Sequence, residues 1–270
     1  MKPISSKNLK PWRLIRATLT AALLIGLAPT FPPSAHAAEF DHSHALIDKV
    51  LKQRVDKDAQ VDYRALKRDR TDLDTWLKNA AAVSQRDFNA WTEPQQLAYL
   101  INLYNAGTLR MIVDNYPIAS IKKIGNLFKG PWDQKVVQLF GKTVTIGHIE
   151  HDLLRKKYNE PAIHFAIVCA AKGCPPLRAE AYTPDKLKAQ LDDQGRIFLG
   201  QRAKNRVDLA NQTLHLSPIF KWFDGDFEKK SGTVQKFVTG YFPEGYRSRL
   251  NAGKFKIRYT DYDWSLNEAK

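Results

Sequence analysis

Polar and apolar positions along the chain alternate first in a helical rhythm. Between residues 41 and 83, Leu46, Ile47, Val50 and Leu51 recur at helical spacing. Asp69, Asp72 and Asp74 are interspersed there with Arg68, Arg70 and Lys78, as on exposed helix faces. Thr92-Glu93-Pro94-Gln95 is a helix start, with Thr92 to cap, Pro94 in the first turn and Gln95 at capping-box spacing. The helix is predicted to run from about 93 to 115 and to stop before Pro117. Leu97, Leu100, Ile101, Leu103, Tyr104, Leu109, Met111 and Ile112 make it apolar nearly all round, so it is expected to be central and buried. Asn102 and Asn105 interrupt that pattern. Asparagine is a poor helix-interior residue, so each needs a hydrogen-bonding reason to be there.

Downstream the pattern breaks into short pieces. Residues 136–140 and 143–146, joined at Gly141-Lys142, predict a β-hairpin. Residues 147–158 return to helical spacing through Ile149, Leu153 and Leu154. The mostly apolar run 162–169 reads as a buried strand, followed by a loop over 170–178 that closes at Pro175-Pro176. A helix is predicted over 183–200, a second hairpin over 206–209 and 213–216, helices from 217 and over 233–241, and a last strand over 255–259. Phe220, Trp222, Phe223 and Phe227 are expected in the core rather than as a ligand platform. Helices and short strands alternate without a regular beat, which favours α+β over a doubly wound sheet. No repeat, linker or heptad run appears.

The first 37 residues differ from the rest. Lys2, Lys7, Lys10, Arg13 and Arg16 precede an apolar stretch from Ala17 to Ala28, then prolines and Ala35-His36-Ala37. This is the pattern of a signal peptide cleaved after Ala37, too short in its apolar part for a retained anchor of roughly twenty residues. The chain is therefore expected to be periplasmic or secreted, with 38–270 as a single globular domain and no transmembrane segment. Removing the five leader cations takes 42 basic residues to 37 and the net charge from +14 to +9. That surface favours anionic envelope components as partners, and export, which removes the chain from most nucleic acid, argues against nucleic acid. His42 and His44, near the new N-terminus, are expected to be exposed.

Chemistry concentrates at the only two cysteines, Cys169 and Cys174. An even count in an exported chain suggests a disulfide, and the four intervening residues permit one. The competing reading is a nucleophilic thiol, which needs a base and a cation. His151, His148 and His164 are the available bases; Lys172, Arg178 and Arg155 are the cations. His151, beside Glu150 and Asp152, with Asn105 as orienter would assemble a Cys-His-Asn constellation. His164, taken alone, reads as a hydrogen-bonded core residue. A zinc site from His148, His151 and the cysteines lacks the usual paired-ligand spacing, so no metal and no cofactor is expected. Nucleotide-binding and G-x-S-x-G signatures are absent.

The segments 101–106, 149–155, 163–170 and 174–178, with Asp261-Tyr262-Asp263-Trp264-Ser265-Leu266-Asn267 near the end, resemble DUF547, a domain family of unknown function found in exported bacterial proteins and in plants. The resemblance spans about 93–267 and implies that Asn105, Glu150, His151, His164, Cys169, Cys174 and Arg178 fall on family motifs. Val168 and Ala171 stand where the family often has Asn and Ser. The expectation is a thiol-dependent hydrolase or acyl transferase of papain- or transglutaminase-like logic. Cys169 would be the nucleophile, His151 the base, and Asn105 or Glu150 the orienter, with Arg178, Lys172 and His164 as substrate-binding groups. The alternative is a non-catalytic envelope protein stapled by Cys169–Cys174.

Overall fold

The computed structural model describes residues 39–126 and 128–270, so the expected leader and its cleavage site lie outside the described residues. Four short helices come first: α1 (Ala45–Arg54), α2 (Tyr63–Arg68), α3 (Thr71–Ala81) and α4 (Gln85–Ala90). The long helix α5 (Glu93–Asn115) follows, buried on nearly every side from Leu97 to Val113. Its start is set as the sequence predicts: Gln95 Oε1 accepts from the Thr92 N–H at 2.9 Å and from its hydroxyl at 3.0 Å.

The hairpin β1 (Lys135–Leu139) and β2 (Lys142–Thr145) lies against α3 and α5. A π-helical turn, His148–Leu154, continues into the short helix α6 (Arg155–Lys157). Next come α7 (Ile163–Ala166) and α8 (Leu187–Gly200). The second sheet pairs β3 (Arg206–Asp208) antiparallel with β4 (Thr213–Leu216), and β5 (Lys256–Tyr259) joins β4 in parallel. Between them run α9 (Ile219–Trp222), α10 (Asp224–Ser231), α11 (Val234–Thr239) and α12 (Glu244–Ala252). Residues 40–270 form one compact unit of α+β class. Among the described residues no helix is long and apolar enough to cross a membrane.

Three expectations need correction. The run 162–169 is no strand: residues 163–166 form α7, whose first bonds run from Ile163 N to Glu160 O and from Phe165 N to Ala162 O. The segment is buried all round, and a uniformly buried apolar run carries no period to separate helix from strand. His44 is fully buried and His42 partly so, both packed with Phe40 against Trp76 or Trp91. The aromatic cluster divides: Phe220 and Phe227 are core, whereas Trp222 is 45% exposed and opens with Phe223 onto a cavity.

An aromatic core holds α7, α8, α10 and α11 together. Phe165 meets Phe198, Phe220, Phe227, Phe237 and Tyr241, with ring centroids 5.2–6.4 Å apart. Gly195 on α8 permits that approach. A Cβ there would lie 3.0 Å from Phe165 Cδ2 and closer still to the ring of Tyr241. Helix propensity alone favours Gly195→Ala by about 1 kcal/mol. Overpacking of a ring-filled core costs about 1–3 kcal/mol and decides the sign. Gly195→Ala is expected to lower the urea midpoint; a stabilised variant would contradict this packing.

Candidate functional site

One cavity of about 150 Å³ gathers most of the chemistry the sequence singled out: Glu150, His151, His164, Cys169 and Cys174 all line it. Tyr104, Trp132, Trp222, Phe223, Tyr262 and Trp264 complete its walls together with three apolar residues.

Cys169 and Cys174 are joined in a disulfide, with Cα atoms 6.3 Å apart. The loop between them turns through Ala170 at φ +55°. It is anchored by bonds from Lys172 N to Ser265 O at 2.9 Å and from Gly173 N to Asp263 O at 2.8 Å. Gly173 is needed for this contact, because a Cβ would come within 2.9 Å of Asp263 N and the Tyr262 ring. The late segment is thus seated on the cysteine loop and delivers Tyr262. Its hydroxyl lies 3.1 Å from Cys169 Sγ and 3.2 Å from Cys174 Sγ. Neither disulfide sulfur carries a proton, so the tyrosine O–H is the donor to whichever it faces. The Cys169 N–H also donates to Cys174 Sγ at 3.0 Å. Lys204 Nζ donates to the Cys174 carbonyl at 2.6 Å, and burial lowers its pKa to about 8.

Glu150 comes from the π-helical turn. Gly147, just before it, allows the turn to press on Trp132, whose carbonyl would lie 2.9 Å from a Cβ. The Glu150 carboxyl is buried and accepts from the Tyr104 hydroxyl at 3.2 Å, which in turn accepts from Trp132 Nε1 at 3.2 Å. Burial pushes its pKa up to about 7, while the Tyr104 hydrogen bond and the charge of Arg155 pull it back.

The histidines have different partners. His164 Nε2 lies 2.8 Å from Asp226 Oδ2, and its ring stacks on Phe223 at 4.0 Å. Burial disfavours the Asp226 charge, but His164 and Arg155 outweigh it and hold the carboxyl well below its usual range. Asp226 is therefore an acceptor, His164 Nε2 carries the proton, and Nδ1 keeps the lone pair of a neutral ring; burial lowers the His164 pKa despite Asp226. Arg155 joins Asp226 through Nε at 2.6 Å and Nη2 at 3.2 Å. Its Nη1 lies 3.1 Å from His151 Nδ1. A guanidinium only donates, so Nδ1 of His151 is occupied as an acceptor. Burial and the Arg155 charge lower the His151 pKa.

Other sequence candidates lie elsewhere. Asn105 does not line the cavity; its amide donates to Ala166 O at 2.9 Å and accepts from Val168 N at 3.0 Å. Arg178 is engaged by Glu180 and Asp193, and Lys172 is exposed outside the cavity lining. His148 pairs with Asp152 at 2.9 Å, and among the described residues no three His, Cys, Asp or Glu converge as a metal-binding group. Sequence reasoning missed Trp132, Asp226 and Lys204. It quoted Tyr104, Tyr262 and Trp264 only as parts of motifs or of a helix face. Tyr104 and Tyr262 offered a signal, each being an aromatic with a polar end inside a segment already singled out.

Residues 88–199 match the family described as "Protein of unknown function, DUF547". The likeness read from the motifs therefore holds over that span. No curated protein and no solved structure gives a significant match. The matched span contributes Tyr104, Glu150, His151, His164 and both cysteines; Asp226, Trp222, Phe223, Tyr262 and Trp264 come from beyond it.

Asn105→Ala leaves two buried backbone groups unpaired. It is expected to destabilise the fold by about 2–4 kcal/mol in urea denaturation. Tyr104→Phe removes a donor to the charged carboxylate, so the Glu150 pKa should rise above about 7 in a carboxyl NMR titration.

Proposed function

We propose that this is an exported protein whose cavity carries out thiol–disulfide exchange, with Cys169–Cys174 as the reacting bond. One observation carries the reading: the disulfide opens onto a cavity while Cys174 Sγ already accepts from the Cys169 N–H and lies within reach of the Tyr262 O–H. Cys169 is partly exposed and Cys174 is 3% exposed, so an incoming thiolate meets Cys169 first. It attacks Cys169 Sγ, a new S–S bond forms, the Cys169–Cys174 bond breaks, and Cys174 leaves as a thiolate. The two donors stabilise that leaving charge. A second thiol attacks the mixed disulfide, frees Cys169 and departs as the ligand disulfide. Two thiols are oxidised, one disulfide is reduced, and the two thiol protons end on the cysteines. The leader-like N-terminus supports the oxidising compartment in which such a pair rests oxidised.

A second reading is favoured by the His164–Asp226 pair. After reduction, Cys169 shares the cavity with an imidazole whose Nδ1 is unprotonated and whose orientation Asp226 holds. That arrangement suits thiol-dependent hydrolysis or acyl transfer, with His164 taking the base role first assigned to His151. Asn105 would then act only through the backbone it holds.

The denatured, unreduced protein is expected to show no titratable thiol. The native protein should release two under a modest excess of glutathione, read by maleimide gel shift. A bond that yields only after unfolding would sink the exchange reading. Tyr262→Phe should slow reduction of the native pair by glutathione about tenfold, through loss of a hydrogen bond worth ~1.4 kcal/mol to the departing Cys174 thiolate. An acyl-transfer role predicts activity with ester substrates only after reduction, lost in His164→Ala.

A further inference from the structure

The residues lining the disulfide cavity include no lysine or arginine, and their one carboxyl is Glu150. Two cations that touch lining residues already have partners, Arg155 in Asp226 at 2.6 Å and Lys204 in the Cys174 carbonyl at 2.6 Å. Most of the remaining wall is aromatic: Trp132, Trp222, Tyr262 and Trp264. Rings of this cavity already carry cations from outside it. Lys122 Nζ lies 5.0 Å from the Trp264 ring centre, and Arg155 Cζ lies 4.8 Å from that of Phe223.

Aromatic faces beside a carboxyl, in a lining that itself holds no lysine or arginine, have the chemistry that takes up an organic ammonium. An anionic ligand would meet a carboxyl and the negative faces of the rings. A neutral ligand would add no positive charge to that of Arg155 in favouring the ionised Glu150 carboxyl. The volume of about 150 Å³ restricts the occupant to a small molecule. The disulfide and the carboxyl line the same cavity, and the charge of Glu150 acts on the Tyr262 hydroxyl beside the sulfurs. The Tyr262 hydroxyl lies 3.1 Å from Cys169 Sγ, and the Tyr104 hydroxyl lies 3.2 Å from Glu150 Oε2.

We infer that the cavity selects small thiols that carry an ammonium group, held by Glu150 and the tryptophan walls while the sulfur reaches Cys169. This rests on the exchange reading and names its substrate class. The first aminothiolate attacks Cys169 Sγ and displaces Cys174. The second attacks the aminothiol sulfur of the mixed disulfide. The products are one aminothiol disulfide and a reduced cysteine pair, and the protons of the two aminothiols pass to the two cysteines. A bound ammonium also offsets the lost hydration that pushes Glu150 up to about 7.

The test is the second-order rate of native disulfide reduction, expressed per thiolate. The probes are 2-aminoethanethiol, its neutral N-acetyl derivative and anionic 3-mercaptopropionate. The cationic thiol is expected to react about tenfold faster than the neutral one, the size of a desolvated cation–π and ion-pair contribution of ~1.4 kcal/mol, and the anion slowest. Tetramethylammonium should inhibit the aminothiol competitively and change tryptophan fluorescence. Glu150→Gln should bring the cationic-to-neutral ratio toward one. Equal rates for the cationic and neutral thiols with the unmodified protein would overturn ammonium selection and leave exchange standing. If no thiol reduces the native pair, the exchange reading falls. Tetramethylammonium binding then judges the ammonium site alone, and no fluorescence change would overturn it.

Discussion

Two asparagine side chains on the buried helix α5 hold the cysteine-bearing segment by both of its ends. Asn105 pairs with Ala166 O and Val168 N, just before Cys169. Asn102 donates to Tyr182 O at 2.8 Å and accepts from Tyr182 N at 3.1 Å, beyond Cys174. In each case a primary amide supplies the donor and acceptor that a neighbouring strand would offer. Buried backbone groups must be paired, and among the described residues only an isolated bridge, Ala171 with Leu266, offers this stretch a strand-like partner. The price of two poor helix formers inside α5 is met by this satisfaction of irregular backbone. Because the loop hangs from a rigid helix, the disulfide has a defined place opposite Tyr262.

The cavity suppresses charge inside itself while charge surrounds it. Glu150 is driven toward neutrality by burial, and His151 and His164 are held toward their neutral forms. The full charges, Arg155 and Asp226, neutralise each other at its edge. Next to the disulfide the one mostly buried cation among the described residues that touches a cysteine is Lys204, held on the Cys174 carbonyl. Under the proposed exchange reading, selectivity would come from what the rest of the ligand carries, which the ring faces and Glu150 meet. The same pairing leaves His164 with its proton on Nε2, fixed by an acceptor that stays ionised.

The site straddles the boundary of the DUF547 match. The matched span brings the disulfide, Glu150 and both histidines. The rest of the chain brings Asp226, which orients His164, and Tyr262, which touches both sulfurs. Tyr262 reaches that position because Gly173 leaves room for the late segment. The chemistry of the matched span is completed by residues more than twenty positions beyond its end.

Helix α5, its capped start and its buried character were legible in the sequence, because burial on every face leaves an apolar record and capping is a local exchange of bonds. The two hairpins were legible from short runs around their turns, and the motifs named Glu150, His151, His164 and the cysteines, which the fold brings to one cavity. Helix α7 was not legible, since an apolar run buried all round has no period to read. Nor was the division of labour between the histidines: His151 had acidic neighbours in sequence, yet its ring accepts from Arg155, while His164 meets an aspartate 62 residues away. Local bonds and periodic burial are written in the order of residues. Which groups share a cavity, and which proton sits on which nitrogen, depends on contacts between distant segments that only the folded chain brings together.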